Sequence, residues 1–271
     1  IEVDTKDVLQ KGKLRTERPN IEQKYLAIIR GIQHVKDMLG REEHQRFILG
    51  MSGGVDSAVV AALLTLAVGK DKVLGVNMPT KFNSDQTKES AAFTAEQLEM
   101  PYLAMPIGEL ADLNEKVLEG HDLGGQHTKL TALQKGNVAA KVRGTSILSN
   151  LAAKYHALFT NNGNKLEVAL GYATLYGDVN GAISPLADLT KAEVFDLARY
   201  LNNSVFKREV IPWSVIPDDL YRFRKDQIQP SAELEENQID PMKFGYHDAL
   251  LMIMADYKKK SAEGIMHLYA A

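Results

Sequence analysis

Residues 47–62 read FILGMSGGVDSAVVAA, and the reading of this stretch decides the fold. An apolar run closes at Met51. Ser52, Gly53, Gly54, Val55, Asp56 and Ser57 follow, and a second apolar run begins at once. Residues 46–51 have the length of a buried strand, and residues 57–70 are alanine-rich and apolar nearly all round, which predicts a buried helix. Between them, Gly53 and Gly54 let backbone N–H groups come close to a ligand. The helix start adds its partial positive charge, and the two together favour phosphate. Ser52 and Ser57 can donate to phosphate oxygens. Asp56 is discordant, because a carboxylate repels phosphate. A Mg2+ ion, which takes hard oxygen ligands and bridges carboxylate to phosphate, would resolve the conflict. The loop has neither G-K-[ST] nor G-x-G-x-x-G, which excludes two common phosphate-binding loops.

Working outward, residues 1–20 read as a loose arm. Residues 21–40 carry Ile21, Tyr25, Ile28, Ile29, Ile32, Val35 and Leu39 at helical steps, one buried face ended by Gly40. Downstream come a strand over 72–79, a helix over 85–100, a strand over 102–107 and a helix over 137–157. A fourth strand opens within 156–162, and Thr190-Lys191-Ala192-Glu193 is a capping box that starts a helix over 191–202. Strands alternating with helices predict an α/β fold, a doubly wound parallel sheet with helices on both faces. Right-handed crossovers then set the helix N-termini along the carboxyl edge of the sheet, where ligands bind. Residues 203–245 break the pattern with Pro212, Pro217, Pro230, Pro241 and many charges, which predicts a mobile loop of the lid or binding kind. Residues 246–270 read as one or two helices. Residues 21–271 are therefore expected to form a single domain behind the arm.

The chain has 271 residues, 45% of them hydrophobic and 25% charged, with a net charge of −3. This is the composition of a globular domain with a substantial core, and no global field favours nucleic acid or an anionic membrane. No apolar run reaches the roughly 20 residues of a membrane helix, and the polar start is not a signal peptide. Cysteine is absent, which excludes disulfides, thiolate metal sites and a cysteine nucleophile in this chain. A reducing, cytoplasmic setting is expected. The histidines show no zinc-protease spacing.

The motif SGGVDS after a strand resembles the pyrophosphate-gripping loop of the N-type ATP pyrophosphatases, which split ATP between the α and β phosphates to adenylate a substrate. Three further segments resemble NAD synthetases within that superfamily: KGNVAAKVRG (135–144), NNGNKLEVALGYATLYGDVNGAISPLADLTKAEVFDLARYLN (161–202) and QPSAELEENQIDP (229–241). The resemblance covers roughly residues 20–250 and is nearer to the synthetase half of the glutamine-dependent enzymes than to the short ammonia-dependent ones. It implies the adenine nucleotide alpha hydrolase-like fold, ATP and Mg2+, and amidation of deamido-NAD to NAD+ with release of AMP and pyrophosphate. The chemistry is coherent. A carboxylate cannot expel oxide, whereas its adenylate can expel AMP when ammonia attacks. Positioning and charge neutralisation then dominate over any nucleophilic side chain.

Carried over by residue, the resemblance implies that Ser52, Gly53, Gly54, Val55, Asp56 and Ser57 hold the ATP phosphates, and that Asp56 and Glu167 hold the metal. Lys191 would contact the phosphates and act with Asp56 in catalysis. Asn77 and Met78 would meet adenosine, mainly through backbone, with Asn162 and Ser231 also at the nucleotide. Asn137 and Lys141, four apart on one helical face, would meet deamido-NAD together with Tyr176 and Asp178. The sequence departs from the family at Lys141, where an arginine is usual, at Asn162, where a threonine is usual, and at Leu175, where the short enzymes carry lysine. It also lacks their C-terminal His-Lys pair. A homodimer is implied. With no cysteine, the chain as given is expected to use free ammonia or ammonia from a glutaminase partner, and its start at Ile1 leaves room for a missing upstream glutaminase domain.

Overall fold

The computed structural model describes residues 20–121, 124–125, 129–218, 223–231, 240–256, 261 and 263. The arm read over 1–20 lies almost entirely outside them. The elements in chain order are α1 (Asn20–Met38), β1 (Arg46–Gly50), α2 (Val55–Val68), β2 (Val73–Asn77), α3 (Asp85–Gln97), β3 (Tyr102–Ala104) and α4 (Gly108–Glu119). There follow α5 (Ala132–Lys141), a π-helical segment (Val142–Leu148), α6 (Ser149–Tyr155), β4 (Ala157–Phe159), α7 (Lys165–Leu170), α8 (Lys191–Tyr200) and α9 (Phe244–Leu251).

The four strands are parallel in the order β3-β2-β1-β4. Both faces are covered, as the alternation predicts. Phe47 and Leu49 of β1 face a core shared with α1, α2, α3 and α8. Ile48, between them, faces a second core with Val142, Leu148 and Ala152. Helix α2 is buried on nearly every side, which is why its sequence shows no polar stripe. The chain steps outward from β1 to β2 to β3 and then returns, through α4, α5 and α6, to pair β4 on the other side of β1. The order reverses at β1/β4. The loops after β1 and β4 therefore diverge around a crevice at the carboxyl edge, the place where open α/β sheets bind ligands.

Three sequence expectations need correction. The helix read over 137–157 begins at Ala132, because Thr131 and Gln134 form a capping box there, and it changes to π-helix at Val142. Helices α4 and α7 were not anticipated. Helix α4 has a single buried residue, Ala111, and α7 has six residues, too short for a periodicity signal. The described residues of the stretch over 203–245 are largely irregular, as its prolines suggest, but its first part is core: Val210, Ile211, Val215 and Ile216 are all at most 3% exposed. Asn202 holds that part in place. Its Oδ1 accepts from the amides of Val210 and Ile211, and its Nδ2 donates to the Ile211 carbonyl at 2.7 Å. Residues 219–222 and 232–239 of the same stretch lie outside the described residues. Among the described residues no helix is long and apolar enough to cross a membrane.

Replacing Asn202 with alanine orphans three buried backbone groups, so Asn202→Ala is expected to lower stability by about 2–4 kcal/mol, read from urea denaturation at constant m-value.

Candidate active site at the carboxyl edge

The end of β1 is braced from both sides. Asn77, the last residue of β2, donates from Nδ2 to the Met51 carbonyl at 2.6 Å. Asn162, beyond β4, donates from Nδ2 to the Gly50 carbonyl at 2.8 Å and accepts from Thr160 Oγ1. Both residues were read as nucleotide contacts. Their amides are spent on holding the strand from which the SGGVDS loop springs.

The loop itself is stiff. Gly53 has φ +91°, and a Cβ there would lie 1.9 Å from the Thr87 carbonyl oxygen of α3. Ser90 of α3 donates to the Gly53 carbonyl at 2.7 Å. Ser52 Oγ accepts from the Gly54 amide, Ser57 Oγ donates to the Gly54 carbonyl, and the two hydroxyls are 3.3 Å apart. Gly54 caps α2 with no side-chain acceptor. The first amides of a helix with mean burial this deep thus have no side-chain oxygen of their own at the N-cap, an arrangement suited to an external anion.

Asp56, in the first turn of α2, meets Glu167 of α7 and Lys191 of α8 at one point. The Lys191 ammonium pairs with Asp56 Oδ2 and lies 3.5 Å from Glu167 Oε1. Asn164 joins the two acids. Its Nδ2 donates to Asp56 Oδ1 at 2.9 Å, its Oδ1 accepts from the amides of Leu166 and Glu167, and its own amide donates to Glu167 Oε2. This capping box fixes the Glu167 carboxylate back toward Lys191. Lys191 is only 2% exposed. Burial works to lower its pKa, but Asp56 and Glu167 outweigh it, so the ammonium stays charged well above the ordinary lysine range. At Glu167 burial wins instead, and its carboxyl is pushed up to about 7. Lys191 opposes the shift but sits closer to Asp56, whose charge adds to the rise.

Two carboxylates on one point are hard oxygen donors, and they fit a divalent cation of the Mg2+ kind. Among the described residues no three His, Asp or Glu side chains form a metal-binding group. A cation held by Asp56 and Glu167 would therefore complete its shell with phosphate oxygens and water.

A second cluster lies alongside. Thr174 donates from Oγ1 to Asn137 Oδ1 at 2.7 Å, Thr145 donates to the Tyr176 carbonyl, and Asp178 accepts from the Thr174 amide at 2.8 Å. The backbones touch at Gly144 and Gly177, where a Cβ on Gly144 would come 2.1 Å from the Gly177 oxygen. Arg143 donates to the Met78 carbonyl and joins this cluster to the end of β2. Asn137, Tyr176 and Asp178 are thus brought together, with Tyr176 strained at φ +63° and exposed. Lys141 is exposed on α5. Ser231 ends a described stretch. The Asp240 amide donates to the Pro230 carbonyl, and the Asp240 charge acts on both Glu167 and Lys191, so Pro230 and Asp240 stand beside the site.

Sequence reasoning missed Asn164, Ser90, Asp240 and Asp248. Asn164 carried a signal, since Asn three residues before Glu167 is a capping-box pattern. The others act across long separations and carried none.

A parallel sheet of this order, with a glycine loop, two acids and a lysine at its switch point, defines an α/β domain of the adenine nucleotide alpha hydrolase-like class. The chain belongs to the NAD synthase family, whose model matches residues 28–269. It is 34% identical over 233 residues to a glutamine-dependent NAD(+) synthetase of Synechocystis, covering 84% of this chain and 37% of that protein. It is 32% identical over 217 residues to an NH(3)-dependent NAD(+) synthetase of Fusobacterium nucleatum, covering 79% of this chain and 72% of that protein. The chain thus spans little more than a third of the glutamine-dependent relative. Among solved structures, a glutamine-dependent NAD+ synthetase from Acinetobacter baumannii in complex with ADP aligns with TM-score 0.68 and 26% identity, over 93% of this chain and 44% of that one. An NMN synthetase from Francisella tularensis shares the fold, with TM-score 0.71 and 23% identity over 93% of both chains.

Two outcomes test the site. Gly53→Ala meets both a disfavoured φ and the Thr87 carbonyl, so it is expected to cost about 1–3 kcal/mol or more and to abolish nucleotide binding by calorimetry. Glu167 has its pKa raised from 4.5 to about 7, so the folded state binds the proton more tightly than the unfolded one. Its contribution is then fully present below pH 4.5 and lost as pH rises to 7. Glu167→Gln should flatten that fall and be at least as stable as the parent at pH 8, on the order of 1 kcal/mol or more, by thermal unfolding across pH.

Proposed function

We propose that this chain amidates deamido-NAD to NAD+ at the expense of ATP, through an adenylated carboxylate attacked by ammonia. The observation that carries the reading is the convergence of Asp56, Glu167 and Lys191 beside the N-terminus of α2, which has no side-chain cap. In this proposal the amides of residues 53–57 and the hydroxyls of Ser52 and Ser57 bind the phosphates. Lys191 holds positive charge where pyrophosphate charge develops. Mg2+ held by Asp56 and Glu167 would neutralise the phosphates. The backbone at Asn77 and Met78 receives adenosine, and Ser231 belongs to a loop over the nucleotide. Asn137, Lys141, Tyr176 and Asp178 dock deamido-NAD so that its carboxylate faces the α-phosphate. The carboxylate oxygen then forms a bond to that phosphorus as pyrophosphate leaves. Ammonia next adds to the carbonyl, gives up a proton, and AMP departs.

The family model and the names of the relatives support the product, and the ADP complex of the Acinetobacter neighbour supports an adenine nucleotide. The names divide between glutamine and ammonia as nitrogen source. A cytoplasmic homodimer that takes ammonia from solution or from a glutaminase unit fits this reading.

The test is AMP release from ATP with Mg2+, with ammonium and glutamine compared as nitrogen donors and deamido-NAD compared with XMP as acceptor. Release that depends on deamido-NAD and ammonium is the expected result, and release with XMP alone would overturn the assignment. Asp56→Asn should lower kcat by about 100-fold or more.

A further inference from the structure

The side chain of Lys191 is placed by an element that the reaction as proposed does not use. Helix α9 (Phe244–Leu251) packs against the start of α8 and presents Phe244 and Asp248, four residues apart and so on one helical face. Asp248 is 3% exposed. Its carboxylate accepts from the Lys191 amide at 3.3 Å (Oδ1) and from the Ala192 amide at 2.7 Å (Oδ2). The Phe244 ring lies 5.5 Å from Lys191 Nζ, and the Phe195 ring 5.9 Å from it. One face of α9 therefore touches both the backbone and the ammonium of the same lysine.

An ordinary cap does not account for this. Thr190 and Glu193 already form a complete capping box, which serves the amides of Glu193 and Thr190. Asp248 takes the two amides between them, so the first turn of α8 is satisfied without any external anion. A lysine in a first turn is opposed by the helix dipole, and a buried carboxylate at that turn cancels the opposition. Helix α8 thus offers the site a single group, the Lys191 ammonium. That group rides on a flexible four-carbon stem, so its position depends on a fixed backbone and on the rings beside it.

We propose that Asp248 and Phe244 are positioning residues for Lys191, and that the C-terminal helix α9 in this way sets the phosphate-binding charge of the site. The proposal rests on the reading of Lys191 given above, and its test separates the two. Reductive methylation followed by peptide mass spectrometry reports the accessibility of Lys191 relative to the exposed Lys154, with no need for turnover. Asp248→Ala is expected to speed labelling of Lys191 by about 10-fold, through local opening of the first turn of α8. Asp248→Asn keeps the volume and one acceptor, so it should give an intermediate rate and serves if the alanine variant does not fold. Asn202→Ala is the control: it removes three buried hydrogen bonds elsewhere and should leave Lys191 protected. In the AMP assay, Asp248→Asn should raise KM for ATP and lower kcat together by about 10-fold while KM for deamido-NAD stays within about 2-fold. Labelling of Lys191 that is unchanged in both Asp248 variants, or that rises equally in Asn202→Ala, overturns the proposal. A parent protein that releases no AMP overturns the functional reading, and the labelling still decides the role of Asp248.

Discussion

One buried ammonium organises the site. Lys191 reaches from the first turn of α8 to Asp56 on α2 and Glu167 on α7, and all three helices begin at the carboxyl edge of the sheet. A buried ion pair adds little net stability, because desolvation offsets most of the attraction, yet removing one partner leaves an uncompensated charge. The arrangement is therefore better explained by what it presents than by what it stabilises. It holds a buried ammonium and two carboxyl groups within one small volume. Glu167 is the weaker partner of Lys191, and burial holds its carboxyl above the usual carboxylate range.

Rigidity around that charge comes from amides and glycines rather than from a deep apolar pocket. Asn77 and Asn162 clamp the carbonyls of Met51 and Gly50 at the end of β1, and Asn164 ties the loop after β4 to the first turn of α2. Among the described residues each buried side-chain polar atom finds a partner, as the low dielectric requires. The reversal of strand order between β1 and β4 is what brings these loops face to face. The π-helical turn after α5 performs a similar service on the neighbouring cluster, where Gly144 and Gly177 let two backbones meet.

Much of this was legible in the chain. The strand–loop–helix unit around Gly53 and the capping box at Thr190 depend on residues within a few positions of one another, and local chemistry is written locally. The sheet class followed from the alternation of apolar runs. Where the reading went wrong, local signals were weak or misleading. Helix α7 is too short to show a period. The stretch over 203–245 carries four prolines that suggest a loop, while its Val210, Ile211, Val215 and Ile216 fill the core.

The sequence by itself determined the glycine-bearing turn after the first strand, the parallel sheet and which acids and which lysine the chain carries. Only the tertiary structure decided that Lys191 is buried, that it pairs with an acid 135 residues away, and that Asp248, 57 residues downstream, holds its backbone. The physical reason is that a charge can be buried only where its partners already stand. Those partners are set by the packing of separate helices, which no local pattern of residues encodes.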